Sequence, residues 1–97
     1  MRRIIWSPRA QKDYTEIVNY LLLQWTLKEV QKFVDQVEEA IFILEKGNID
    51  FKTTRFKTLH AAVISNQISI YYRIHLKNKV EIVRIWDNRQ NPKRLIK

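Results

Sequence analysis

The residues equipped for chemistry are few. His60, His75, Tyr71 and three arginines of the second half, Arg73, Arg84 and Arg89, are the groups from which a site can be assembled. Together they suit one reaction that needs no cofactor, the cleavage of RNA by its own 2′-hydroxyl. A base takes the hydroxyl proton, an acid protonates the leaving oxygen, and a guanidinium stabilises the extra charge on phosphorus. His60, His75 or Tyr71 would move the protons, and Arg73, Arg84 and Arg89 would hold the phosphate. Each has a plainer reading. Arg73 and His75 on a strand are more often ordinary solvent-facing residues. Tyr71 and Tyr72 are good strand formers. Trp6, Trp25 and Trp86 read as core or hinge anchors. Arg89 stands out, because polar loop residues beyond a strand, as in Asp87-Asn88-Arg89-Gln90-Asn91-Pro92, are common functional positions.

Other chemistries lack their letters. Neither histidine has a carboxylate at ligand spacing and the chain has no cysteine, so neither a metal site nor a disulfide is expected. With Gly47 as the single glycine there is no phosphate-cradling loop or nucleotide fingerprint, and no nucleophile elbow. No cofactor is expected. No apolar run approaches the roughly 18 residues of a bilayer span, and no leader pattern is visible. The expectation is a soluble cytoplasmic protein with no membrane contact.

Charge carries functional content. The chain of 97 residues holds 18 Lys and Arg against 10 Asp and Glu, a net charge of +8. Through Phe51 seven basic residues meet eight acidic ones; from Lys52 onward eleven meet only Glu81 and Asp87. Such asymmetry is expected where a surface meets a polyanion, whether nucleic acid, an acidic partner segment or anionic lipid. A solubilising surface is the bland alternative.

The elements that must position these groups follow from periodicity. Arg3-Ile4-Ile5-Trp6 is strand-prone and stops at Ser7-Pro8, which also starts a helix. Ala10, Tyr14, Ile17, Val18, Leu21 and Trp25 then form one helical stripe. Thr26 and Glu29 make a capping-box pattern before a second stripe of Val30, Phe33, Val34, Val37, Ile41 and Leu44, and Gly47 stands where a left-handed cap belongs. Residues 49–57 read as an irregular basic loop. Residues 62–86 read as an antiparallel meander, with Ile68, Ile70, Tyr72, Ile74 and Leu76 on one face and Ser69, Tyr71, Arg73 and His75 on the other. Lys77-Asn78 is a two-residue turn, and Val80 to Trp86, apolar on both faces, is a central strand. The expected fold is a single α+β domain over residues 1–97: a short strand, then a two-helix hairpin on one face of a curled antiparallel sheet of three to four strands. The opposite sheet face, carrying Tyr71, Arg73 and His75, is expected to be open.

The opening Ile4-Ile5-Trp6-Ser7-Pro8-Arg9-Ala10, with Asp13, Ile17, Tyr20-Leu21 and Trp25, resembles the amino terminus of ParE-type toxins. The close resembles the same family's final hairpin and Asp-x-Arg turn: Tyr72-Arg73-Ile74, then Val80-Glu81-Ile82-Val83-Arg84-Ile85-Trp86-Asp87-Asn88-Arg89-Gln90-Asn91-Pro92. The resemblance spans nearly the whole chain and implies the RelE/ParE superfamily of bacterial type II toxin–antitoxin systems. RelE-like members cut messenger RNA on the ribosome with basic sheet residues and a terminal Tyr or His. Arg89 matches the terminal-turn arginine, but Ser69, Leu95 and Ala62 stand where the ribonucleases carry an arginine, a tyrosine and a lysine. ParE-like members lack that set and inhibit DNA gyrase, which is the reading the resemblance favours here. If the chain is instead a ribonuclease, Arg73, Arg89 and His75 carry the catalysis. A basic nucleic-acid-binding module is a third reading, expected to show steep salt dependence.

Either branch implies an acidic antitoxin as partner, wrapping the chain and pairing its carboxylates with Arg55, Lys57, Arg84, Arg89, Lys93 and Arg94. Operator DNA would be reached only through the antitoxin.

Overall fold

In a computed structural model of the chain, residues 1–56, 58–65 and 67–87 are described. The element order is β1 (Arg3–Trp6), α1 (Pro8–Gln24), α2 (Leu27–Lys46), β2 (His60–Val63), β3 (Ile68–His75) and β4 (Lys79–Asp87).

The helix boundaries are set by their caps. The Ser7 hydroxyl accepts the Ala10 N–H at 3.0 Å while donating to the Val83 carbonyl. One side chain therefore both starts α1 and ties it to β4. Thr26 caps α2 by accepting the Glu29 N–H. Gly47 ends that helix in the left-handed region at φ 71°, the conformation a C-terminal glycine cap supplies.

The four strands lie in the order β1-β4-β3-β2, with antiparallel β2–β3 and β3–β4 pairs and a parallel β1–β4 pair. The sheet is therefore mixed. Its meander half matches the periodicity; the parallel partnership of β1 is a long-range choice that local pattern does not encode. β4 is central, as its two apolar faces require. The turn between β3 and β4 spans three residues rather than two, with Lys77 and Asn78 at φ 63° and 56° and His75 paired to Lys79.

The helical hairpin covers one sheet face. Ala10, Phe33, Val37, Ala40 and Leu44 meet Ala62, Ile70, Tyr72, Val80, Ile82 and Ile85 in the main core. Ile82 and Ile85 share a face despite odd spacing because the register shifts there. Tyr71 pairs with Arg84 and Tyr72 with Ile82, leaving Val83 as the extra residue of a bulge.

The other sheet face departs from expectation. Leu59, Tyr71 and Trp86 form a second small core, flanked by Ala61 and Val83. Tyr71 is only 9% exposed, so the face is open at Arg73 and His75 but closed at Tyr71. Trp25, read as a core or hinge anchor, is instead 59% exposed.

The segment after Gly47 is strapped across the sheet edge. Arg2 grips Asp50 with two hydrogen bonds, at 2.7 and 3.1 Å. They hold the Asp50 carboxyl below the ordinary carboxylate range, because hydrogen bonds to the charged form favour it. Phe51 donates its N–H to the Tyr72 hydroxyl. The Phe51 carbonyl lies 2.7 Å from His60 Nδ1. That nitrogen must then carry the proton, since a carbonyl can only accept. His60 stacks on the Tyr72 ring at 4.9 Å. Thr53 makes an isolated bridge to His60, and the Ala61 N–H donates to the Lys52 carbonyl, so the strap blunts the β2 edge.

Candidate functional site

The exposed part of the second sheet face presents Arg73 and His75, two residues apart on β3 and so side by side. On β4, Glu81 stands opposite Arg73 and Lys79 opposite His75. His75 Nε2 lies 2.9 Å from Glu81 Oε1, an arrangement that orients the ring and leaves Nδ1 toward solvent. Arg73 is half-buried and has no hydrogen-bond or ion-pair partner among the described residues. A cation beside an oriented imidazole can hold an anion and move one proton. The Glu81 carboxylate is the other proton carrier beside them, whereas Tyr71 is packed under Leu59 and Trp86, and His60 is engaged with Phe51 and Tyr72.

A second feature lies between the helices and the far ends of β3 and β4. A groove of about 640 Å³ is floored by Ile17, Tyr20, Trp25, Phe33, Ile68 and Trp86. Arg9, Lys32, Glu16 and Glu29 also line it, so its charges are mixed. At its base Asp13 of α1, on the same helical face as Ala10 and Ile17, receives Arg84 of β4. Arg84 Nε donates to Asp13 Oδ2 at 2.7 Å. Arg84 Nη2 donates to Asp13 Oδ1 at 3.1 Å. The two bonds make a bidentate, charge-assisted pair. The same Oδ2 accepts the Ile85 N–H at 3.1 Å, and Arg9 Nε approaches Oδ1 at 3.9 Å. The Arg84 guanidinium also sits 5.0 Å over the Trp86 ring, within cation–π range. This clamp supplies a partner for the buried Ile85 N–H, beyond the point where β1 stops pairing with β4, and it fixes α1 against β4.

The structure brings Arg73 and His75 together and engages Arg84 and Arg55 elsewhere. Arg84 has its head in the clamp with Asp13. Arg55 lies in the strap beyond the β2 edge, its guanidinium 5.2 Å over the Phe56 ring. Lys57, Arg89, Lys93 and Arg94 lie outside the described residues, as does Leu95. Asp13 is the residue whose role sequence reasoning missed. Its signal was a carboxylate between Ala10 and Ile17 on an apolar helical stripe, where a charge needs a buried partner. Among the described residues no group of three or more His, Cys, Asp or Glu side chains converges to hold a metal, and no helix is long and apolar enough to cross a membrane.

Several solved structures share this fold. A chain of the chromosomal ParDE toxin–antitoxin system from Pseudomonas aeruginosa superposes with a TM-score of 0.74 at 16% identity, covering 90% of this chain and 96% of that one. A copper-bound mutant toxin from Helicobacter pylori gives 0.66 at 17% identity over 92% and 97%. A chain of the YoeB–YefM complex from Staphylococcus aureus gives 0.60 at 15% over 89% and 95%. No curated protein sequence matches significantly. The family model described as the ParE toxin of the type II toxin-antitoxin system, parDE, matches residues 4–92. That match reaches from β1 through the whole sheet, and so the chain belongs to the ParE toxin family of type II toxin–antitoxin systems.

Proposed function

We propose that this toxin arrests growth by binding and inhibiting DNA gyrase without catalysing a reaction, and that an acidic antitoxin neutralises it in the cytoplasm. The observation that carries the non-enzymatic reading is the burial of the sheet positions a ribonuclease would need. Ser69 is 3% exposed and Ala62 fully buried, at the two places where the resemblance puts basic residues in the ribonucleases. Tyr71 is closed off beside Ser69. That leaves Arg73 and Lys79 as half-exposed cations, and His75 with its partner Glu81 as the proton carriers of that face, among the described residues.

The antitoxin reading rests on charge. The second half carries the chain's positive excess, and Arg55 and Lys52 are exposed in the strap at the sheet edge. A carboxylate-rich segment would meet complementary potential there, and ordering on binding would let it cover a long path.

Pulse labelling after induction without antitoxin tests the target. DNA synthesis is expected to stop before protein synthesis, and purified chain should inhibit gyrase supercoiling. Early arrest of protein synthesis would favour the ribonuclease reading, for which the unpaired Arg73 beside the oriented His75 is the specific support. In that case Arg73→Ala and His75→Ala abolish killing while antitoxin binding survives; on the gyrase reading both variants still kill.

A further inference from the structure

A second pocket, of about 740 Å³, lies where β1, α1 and α2 meet, and it shares no lining residue with the groove around Asp13. Its size is that of a small-molecule site, about 300–1,000 Å³. One wall is a stripe of α2. Glu38, Ile41, Phe42 and Glu45 stand at i, i+3, i+4 and i+7, so they share one face of the helix. The other wall is aromatic. Trp6 of β1 and Tyr14 of α1 meet edge to face at 5.6 Å and 79°. Tyr14 also packs on the buried Phe33 ring at 5.4 Å, so this wall is fixed before any ligand arrives.

The lining selects a cation. Among the described residues its charged members are Glu38 and Glu45, with no Lys or Arg, in a chain whose net charge is +8. Neither carboxylate has an ion-pair partner among the described residues. The Glu38 charge is felt at the opposite wall: burial first, and then Glu38, push the Tyr14 phenol up. Aromatic faces attract cations as well. The rim already shows this, since Lys46 Nζ stands 4.6 Å over the Phe42 ring.

Spacing narrows the ligand further. Glu38 and Glu45 are seven residues apart, about 10 Å along the axis at about 1.5 Å per residue. One ammonium group cannot touch both. A linear chain with nine bonds between its terminal nitrogens spans about 11 Å when extended, whereas one with five bonds spans about 6 Å. The longer chain would set an ammonium on each carboxylate and lay its methylenes over Ile41 between the rings.

We propose that this pocket binds a linear aliphatic polyamine, with its two terminal ammonium groups on Glu38 and Glu45 and its stem along Trp6, Tyr14 and Ile41. The proposal is independent of whether gyrase or the ribosome is the target. The ligand touches β1, α1 and α2 at once, so it ties the helical hairpin to the first strand and leaves the basic sheet face free.

The test is a titration of the isotope-labelled full-length chain with spermidine, whose terminal nitrogens are nine bonds apart, followed by the nuclear magnetic resonance signal of the Trp6 indole N–H. Saturation is expected with a dissociation constant on the order of 1 mM, the scale for so small a ligand. Putrescine, with five bonds, should bind at least about 3-fold more weakly, since it reaches one carboxylate at a time. Glu38→Gln and Glu45→Gln should each weaken spermidine by about 3- to 5-fold, and the double variant should show no saturation. Circular dichroism checks that these surface substitutions keep the fold. Glu39→Gln, exposed on the same helix and outside the lining, should change binding by less than about 2-fold. A Trp6 signal that does not move up to about 10 mM spermidine overturns the proposal. Putrescine binding as tightly as spermidine overturns the two-ended contact. A loss for Glu39→Gln equal to that for Glu38→Gln would mean diffuse attraction to an acidic helix and likewise overturns it.

Discussion

The Asp13–Arg84 clamp makes the sharpest energetic prediction. Their side chains are 8 and 15% exposed, so neither charge is well solvated when its partner is removed. Truncating one member of a buried pair costs about 3–5 kcal/mol. Asp13→Ala falls in that range because it strands the Arg84 charge and also removes the acceptor of the Ile85 N–H, which leaves a buried donor unsatisfied. A domain of this size has about 5–15 kcal/mol in all, so that variant verges on unfolding and is a poor probe. Asp13→Asn is better: it keeps an oxygen for Ile85 N–H but loses the carboxylate, and should cost about 2–3 kcal/mol. Arg84→Met should cost a similar amount, partly softened because Arg9 remains near the carboxylate at 3.9 Å. The paired replacement Asp13→Asn/Arg84→Met removes both charges, keeps an oxygen for the Ile85 N–H, and should return to within about 1 kcal/mol of the parent, giving a coupling of at least about 2 kcal/mol. Urea unfolding at neutral pH reads all four proteins. High salt should leave the Asp13→Asn deficit largely intact, because screening acts mainly on exposed pairs. A deficit for Asp13→Asn below about 0.5 kcal/mol, or single-variant costs that simply add in the double, would refute the assignment of the clamp as a buried, coupled pair.

Three further outcomes are expected. Gly47→Ala should destabilise the chain in thermal unfolding by about 1–2 kcal/mol, the cost of forcing an L-residue into the left-handed region. Gly47 sits at φ 71°, and an added Cβ would come 2.9 Å from Arg2 Nε. Folding lowers the Asp50 pKa, chiefly through the Arg2 hydrogen bond. This pair's stabilisation is therefore present above the ordinary carboxylate value and lost as pH falls through the lower folded one. The stability gap between the parent and Arg2→Met should close in the acid limb of a urea-midpoint titration. Burial pushes the phenols of Tyr14 and Tyr72 up. Their contribution is present below the ordinary tyrosine value and is lost as pH rises through the higher folded ones. Ultraviolet titration of phenolate should show both ionising late, and Tyr72→Phe should flatten the alkaline loss of stability.

Most of the secondary structure was legible because its causes are local. Ser7-Pro8, Thr26 with Glu29, and Gly47 cap helices whoever their neighbours are, and the structure places the caps at Ser7, Thr26 and Gly47. Alternation in residues 68–75 assigned Ile70 and Tyr72 to the helix side, and both are fully buried there. The family was legible too, from blocks at the two ends of the chain. Burial of Tyr71 was not. Alternation tells which face a side chain takes, and not whether a distant segment, here Leu59, lies over that face.

The candidate site divides along the same line. Arg73 and His75 share a strand, so their two-residue spacing alone put them side by side. Asp13 and Arg84 are 71 positions apart. Their meeting depends on three things set by the whole fold: the parallel seating of β1 beside β4, the bulge at Val83 and the packing of α1 over the strand end. Caps, stripes and alternation act over a few residues and can be read from the chain one window at a time. Which strand lies beside which, which charge finds its counter-charge, and which apolar residues stay uncovered at Leu23 and Trp25 depend on contacts between windows, and those are chosen by the free energy of the assembled core.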